Sequence, residues 1–379
     1  MAGLVACNGS NTTTQGLSGP NVMDIYVGGQ TLCGQNGYIN EPCTSVTICQ
    51  PGTTNCQTIS NILVDTGSFG LRIFSSVITV PLTQVTNGTY PVAECAQFGT
   101  GDEWGPVQMA SVVLGGEPAV TVPIQVINSS YESYSGTGCS GVGTSPATSG
   151  FNGILGVGLF PQDCGTGCTT VASNGYYFYC NGSNCTNGTT VSLSNQVTNP
   201  VAMLPVDNNG VLVQLPGVAL GGVASLSGYL ILGIGTQSDN SPSGAVKYSA
   251  SNSANFTTVF NGTTATDSFI DSGSNGLFFA GGPTQCSGSS YAPGFYCPAS
   301  TTGYTVTTKG YTGSPSVSVA FNVGNASNLV QTGNSAFSEL AGVSSSYFDL
   351  GLPFFYGRSV FVGIEGKTSS LGTGPYWAY

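Results

Sequence analysis

Two short segments of this chain carry the same residues in the same setting. Leu63-Val64-Asp65-Thr66-Gly67-Ser68 and Phe269-Ile270-Asp271-Ser272-Gly273-Ser274 each run from an apolar stretch into an aspartate, a hydroxyl residue, a glycine and a serine. Both reach Gly-Leu after one further residue, at Gly70-Leu71 and Gly276-Leu277. One such tetrapeptide is an ordinary turn, because Asp and Gly are common turn residues. Two in matching contexts predict two related units that each present one carboxylate. Two carboxylates brought face to face cannot both ionise, so one keeps a proton near neutral pH and the pair serves as acid and base together. Such a pair can activate a water with no metal, cofactor or covalent intermediate. Gly67 and Gly273 are expected to allow the turns that expose the aspartates at strand ends.

The elements that must hold these turns are legible in composition. The chain has 379 residues, 57 of them glycine, and only 6% are charged. Good helix formers are scarce, whereas Ser, Thr, Asn and Val recur throughout, so short strands joined by Gly/Asn/Pro turns are predicted and the fold class is all-β. The length predicts two lobes with two cores. Residues 1–19 read as a polar leader or tether, 20–237 as an N-terminal lobe with a Cys-rich insertion, and 238–379 as a C-terminal lobe. The boundary is drawn at the polar stretch Gln237-Ser238-Asp239-Asn240-Ser241-Pro242.

Composition also excludes. The chain has no histidine, which removes Ser-His-Asp triads, Cys-His pairs and His-ligated metals. Its net charge of −11 argues against nucleic acid and anionic membrane surfaces as partners. With few ion pairs to lose and no histidine to charge, it is expected to tolerate low pH. The uncharged stretch from Val211 to Gly235 contains Pro216 and several glycines, so it reads as buried strands and turns, and no transmembrane span is predicted.

Thirteen cysteines point to an oxidising compartment, and the protein is expected to be exported to an extracellular, cell-surface or periplasmic location. Twelve fall into close sequence pairs or plausible partners, Cys33/Cys43, Cys49/Cys56, Cys95/Cys139, Cys164/Cys168, Cys180/Cys185 and Cys286/Cys297, although connectivity does not follow from sequence. Cys7 is left over. It follows Leu4-Val5-Ala6 and precedes a polar run, the residue pattern of a bacterial lipoprotein processing site, which makes it a candidate for lipidation. Too few residues precede it for a signal peptide, so either an upstream leader lies outside this sequence or the match is accidental.

The order of motifs from about Asn21 onward resembles the pepsin-like aspartic peptidases. Besides the two Asp turns, Phe98-Gly99-Thr100-Gly101 resembles the tip of that family's flap, the hairpin that closes over substrate. Asn152-Gly153-Ile154-Leu155-Gly156 and Asp349-Leu350-Gly351 resemble the segments that complete each lobe's ψ-shaped loop, and Tyr229-Leu230-Ile231-Leu232-Gly233 resembles the strand near the lobe junction. More closely, the chain resembles bacterial secreted or lipoprotein-type proteins of uncharacterised function, with the ending Gly-Pro-Tyr-Trp-Ala-Tyr. The resemblance implies a bilobal fold with a cleft between lobes and Asp65 and Asp271 as the catalytic pair, supported by Thr66, Gly67, Ser68, Ser272, Gly273 and Ser274. Ser68 and Ser274 would donate to the outer carboxylate oxygens.

It further implies an endopeptidase without cofactor or metal, acting on extended peptide or unfolded protein. Phe98, Gly99, Thr100, Gly101 and Arg72 would contact substrate. Two residues depart from the family pattern. Phe98 replaces the flap tyrosine, and Arg72 stands in the place of the tryptophan that this tyrosine bonds. Arg72 is expected to pair with Asp102 or Glu103, to bind a substrate carboxylate, or to lie as a solvated rim charge. The alternative is a pepsin-like protein without catalysis, an extracellular binding or self-assembling structural module, for which self-association is the discriminator.

Overall fold

Glycine, asparagine and proline interrupt the chain every few residues, and the segments between them are too short and too β-branched for stable helices. A computed structural model describes residues 16–28, 33 and 38–379, so Cys7 and most of the polar leader lie outside the described residues. The protein is all-β, with twenty-six strands among the described residues. No helix among the described residues exceeds four residues, and none is long and apolar enough to cross a membrane. The uncharged Val211–Gly235 stretch contains the strands Gly210–Gln214 and Leu226–Leu232 with turns between them.

One local topology occurs twice. The strand Cys56–Asp65 ends on the first aspartate. Gly153–Val157 runs parallel to it, with Gly156 opposite Asp65, and antiparallel to Phe69–Phe74 on the other side. The second aspartate follows the strand Thr263–Ile270. Asp349–Leu350 runs parallel to that strand and antiparallel to Leu277–Phe279. Each half therefore threads one strand between the two arms of its aspartate turn. A further parallel strand backs each arrangement, Val120–Ile127 along Phe69–Phe74 and Ala341–Val343 along Leu277–Phe279.

The strands form a connected network of seventeen, a sheet of seven and a two-stranded ribbon. Ser359–Gly363 pairs with Gly210–Gln214, and Tyr376–Ala378 pairs with both Ser359–Gly363 and Lys247–Ser249. Strands from beyond residue 238 thus complete the larger network, so a cut at 237/238 divides the chain without dividing the sheets. Buried apolar residues behave alike. A single cluster runs from Ile62, Val64 and Leu155 through to Phe260, Phe279 and Phe348, with smaller clusters beside it.

Six disulfides join Cys33–Cys43, Cys49–Cys56, Cys95–Cys139, Cys164–Cys168, Cys180–Cys185 and Cys286–Cys297, the pairs expected from the sequence. Cys49–Cys56 and Cys180–Cys185 close hairpins, whereas Cys95–Cys139 ties a hairpin to a separate loop. That hairpin, Tyr90–Phe98 with Gly101–Val113, has Gly99-Thr100 at its tip and is flanked by the strand Tyr177–Asn181.

Candidate active site

The two aspartate turns meet face to face and lock together through their hydroxyl residues. Thr66 N–H donates to Ser272 Oγ at 3.1 Å, and Ser272 N–H donates to Thr66 Oγ1 at 2.9 Å. Each hydroxyl then donates across the junction, Thr66 to the Ile270 carbonyl at 3.0 Å and Ser272 to the Val64 carbonyl at 2.6 Å. Thr66 and Ser272 are fully buried, so these bonds have no water competing for them. Within each turn the glycine N–H donates to one carboxylate oxygen, Gly67 to Asp65 and Gly273 to Asp271, both at 2.7 Å. The serine donates to the other oxygen, Ser68 to Asp65 at 2.5 Å and Ser274 to Asp271 at 2.8 Å. Each carboxylate is therefore aimed by two donors of its own turn.

The need for glycine at both turns has a different origin from the one expected. Neither Gly67 nor Gly273 adopts a left-handed backbone. A Cβ on Gly67 would sit 2.6 Å from the carboxyl carbon of Asp271, and one on Gly273 would sit 2.9 Å from that of Asp65. The missing side chains are what let the carboxylates approach one another. Asp271 lies within hydrogen-bonding reach of Asp65, and its carboxyl is held well above the ordinary aspartate range. Burial is the main cause, followed by the charges of Asp65 and Asp349. Two carboxyls brought this close favour sharing a proton over both ionising.

Above the pair lies a cavity of about 620 Å³. Asp65 and Asp271 form its floor, and Phe98, Gly99, Thr100 and Gly101 of the hairpin form its roof. The hairpin is stapled in place. Besides Cys95–Cys139, Asp102 N–H donates to the Ser140 carbonyl at 3.1 Å, and Ser140 N–H donates back to Asp102 Oδ2 at 2.6 Å. Among the described residues, the one cluster with metal-ligand spacing is Cys95, Asp102 and Cys139, whose two sulfurs are already joined to each other.

Arg72 is elsewhere than expected. It does not line the cavity and pairs with neither Asp102 nor Glu103. Its guanidinium is buried, bonded to Glu94 at 2.7 Å and Asp163 at 2.9 Å, and donates to the Phe69 carbonyl at 2.7 Å. Tyr177 completes the group by donating to Asp163 at 2.6 Å. The reason is packing, since Glu94 and Asp163 are themselves buried and need a cation more than the solvated rim does. Burial and the neighbouring Asp163 push the Glu94 carboxyl up, while Arg72 opposes them. The guanidinium also lies 5.7 Å from the centre of the Phe98 ring, which gives the hairpin tip an apolar and cationic support instead of a hydroxyl bond.

Several residues of the site escape sequence reasoning. Tyr38 lines the cavity and its hydroxyl lies 3.5 Å from the Gly273 carbonyl. Its phenol is pushed up by burial and by Glu41, Asp271 and Asp65. Asn40 stitches this segment to the second half, donating to the Asn275 and Phe337 carbonyls at 2.8 and 3.0 Å. Asp349 is buried behind Asp271, with its carboxyl raised by burial, lowered by Ser274 and raised again by Asp65. A signal for it existed, because it is an acid in the apolar run Phe348–Phe355 at the position where the first half has Ile154.

Glu41 is also fully buried, and neither carboxylate oxygen has a partner among the described residues. Burial pushes it from 4.5 up to about 8. Between those values the native state holds a proton that the unfolded chain releases, so its contribution is complete below about pH 4.5 and is lost as pH rises through about 8. Glu103, pushed up to about 7 chiefly by burial, acts in the same direction. Thermal unfolding with the disulfides intact should therefore show greater stability near pH 4 than near pH 8, by roughly a few kcal/mol. Glu41→Gln should flatten that slope, and a wild-type profile that is flat or rises with pH would contradict this account.

The chain belongs to the family described as Protein of unknown function (DUF3443), which matches residues 18–379. No curated protein matches it.

Proposed function

We propose that this chain is an exported aspartic endopeptidase of pepsin-like, two-lobed architecture that cuts extended peptide in the cavity beneath the Phe98–Gly101 hairpin. The observation that carries the reading is the pair of turns in which each aspartate abuts the other turn's glycine, on the floor of a cavity large enough for peptide. The repeated thread-through topology around each aspartate supports a duplicated lobe. The six disulfides fit an oxidising compartment outside the cytosol.

The chemistry follows from the asymmetry of the pair. One carboxyl of the pair carries the shared proton and the other is the base. The ionised carboxylate of the Asp65/Asp271 pair takes a proton from a water as its oxygen attacks the peptide carbonyl carbon, and the protonated one donates to the carbonyl oxygen. The resulting gem-diol collapses as the carboxyl that took the water proton gives it to the amide nitrogen and the other takes a proton from a gem-diol hydroxyl; the C–N bond breaks and the pair is again singly protonated. Gly67, Gly273, Ser68 and Ser274 keep the carboxylates oriented throughout. Extended substrate is bound by backbone hydrogen bonds along the hairpin and by the apolar walls.

A peptide whose central amide is replaced by a secondary alcohol resembles the gem-diol. It should bind at least about 10²-fold tighter than its amide parent. Competition against a fluorescent peptide, with the amide checked for integrity by mass spectrometry, measures the ratio. Equal affinities would contradict a site built for the tetrahedral intermediate. The second reading, a non-catalytic binding or self-assembling module, is favoured by one observation, the Phe98 tip resting on Arg72 with no hydroxyl to offer substrate.

A further inference from the structure

The cavity is acidic beyond what hydrolysis requires. Asp102 and Glu103 line it together with Asp65 and Asp271, and no lysine or arginine is among its lining residues. The nearby cation, Arg72, is already bonded to Glu94 and Asp163 behind the hairpin. Asp102 is occupied as well, since it accepts from Ser140 N–H and thereby fixes the loop to the hairpin.

Glu103 is different. It is 6% exposed, it makes no ion pair, and its Oε2 has no hydrogen-bond partner among the described residues. The adjacent loop leaves it room, because a Cβ on Gly143 would lie 2.6 Å from both carboxylate oxygens. The Gly143 N–H donates to the Asp102 carbonyl. A buried carboxylate oxygen without a partner is costly unless something completes it. In a chain with five Lys+Arg against 16 Asp+Glu, that partner is not supplied from within the cavity walls.

Resting on the reading of this cavity as a peptide-cleaving cleft, we propose that Glu103 is its specificity residue and selects substrates carrying lysine or arginine beside the bond to be cut. The aliphatic stem of such a side chain lies along Phe98 and Val142, and its charged end reaches Glu103. The guanidinium or ammonium supplies the counter-charge that the cavity lacks, in a charge-assisted hydrogen bond sheltered from water.

Binding tests this independently of turnover. Asp271→Asn removes one carboxyl of the pair and is expected to block cleavage. The probes are capped octapeptides with arginine at each of the four central positions in turn, each compared by calorimetry near pH 7.5 with its norleucine counterpart. At least one arginine peptide should bind about tenfold tighter or more, and Glu103→Gln should bring the ratio close to one. Glu103→Asp, which keeps the charge on a shorter stem, should retain part of the preference, and covers the case in which the glutamine variant does not fold. Equal affinities, no binding of either peptide, or a preference that survives Glu103→Gln would overturn the proposal. Cleavage by the unaltered protein is read separately. Hydrolysis without an arginine or lysine preference overturns this inference alone, whereas arginine-selective binding without hydrolysis supports the subsite and removes the catalytic reading.

Discussion

Gly67→Ala should remove cleavage while leaving most of the fold intact. The added methyl would lie 2.6 Å from the carboxyl carbon of Asp271 and 2.7 Å from its Oδ1. The backbone at Gly67 is not left-handed, so alanine meets no conformational penalty there. What must give way is the facing carboxylate, which is the end of a side chain and can swing aside at modest cost. Swinging it aside breaks the bonds from Gly273 N–H and Ser274 Oγ that aim it. A misplacement of about 1 Å in a reacting group costs roughly 10²-fold in rate, and a lost shared proton costs more. We therefore expect kcat/KM to fall at least about 10²-fold, with a loss of only about 1–3 kcal/mol in stability. Gly273→Ala should act in the same way on Asp65. Activity close to wild type in either variant, measured on a fluorogenic peptide, would mean that the two carboxylates do not act as a pair.

Arg72→Met should have the largest effect on stability. The guanidinium holds two buried carboxylates, Glu94 and Asp163, and removing it leaves both facing each other without a counter-charge. Breaking a buried pair in this way typically costs about 3–5 kcal/mol. The loss should be concentrated in the hairpin, because Glu94 lies in the strand Tyr90–Phe98 and Phe98 rests on the guanidinium. Adding Glu94→Gln to Arg72→Met removes one of the stranded charges and should restore part of the stability. Denaturant unfolding of the oxidised protein measures both steps. A single-variant loss below about 1 kcal/mol would indicate that the triad is neutralised by protonation instead of by Arg72.

What sequence reasoning could and could not reach follows a physical line. The aspartate turns, the hairpin tip at Gly99-Thr100 and the short-range disulfides depend on residues close in the chain, where turn chemistry and spacing carry information. The partners of Arg72 do not. Glu94 and Asp163 lie 22 and 91 positions away, and only folding shows that they are buried and the solvated rim is not. The steric demand at Gly67 is likewise set by a residue in the other half of the molecule, which a turn argument does not reach. Glu41 and Tyr38 carry no motif, and their relation to the site arises where Asn40 ties their segment to Asn275 and Phe337. Strand pairing crosses the polar stretch at 237/238, because Ser359–Gly363 finds its partner in Gly210–Gln214.

The most direct test of the account is cleavage of a reduced, alkylated protein by the disulfide-intact chain and by Asp271→Asn, scanned from about pH 3 to about pH 7, where a shared-proton carboxylate pair titrates. The account predicts peptide products from the wild type that rise and fall across this range, and none from Asp271→Asn when its fold is verified by circular dichroism. Absence of products from the folded wild type at every pH, or equal products from both proteins, would contradict it.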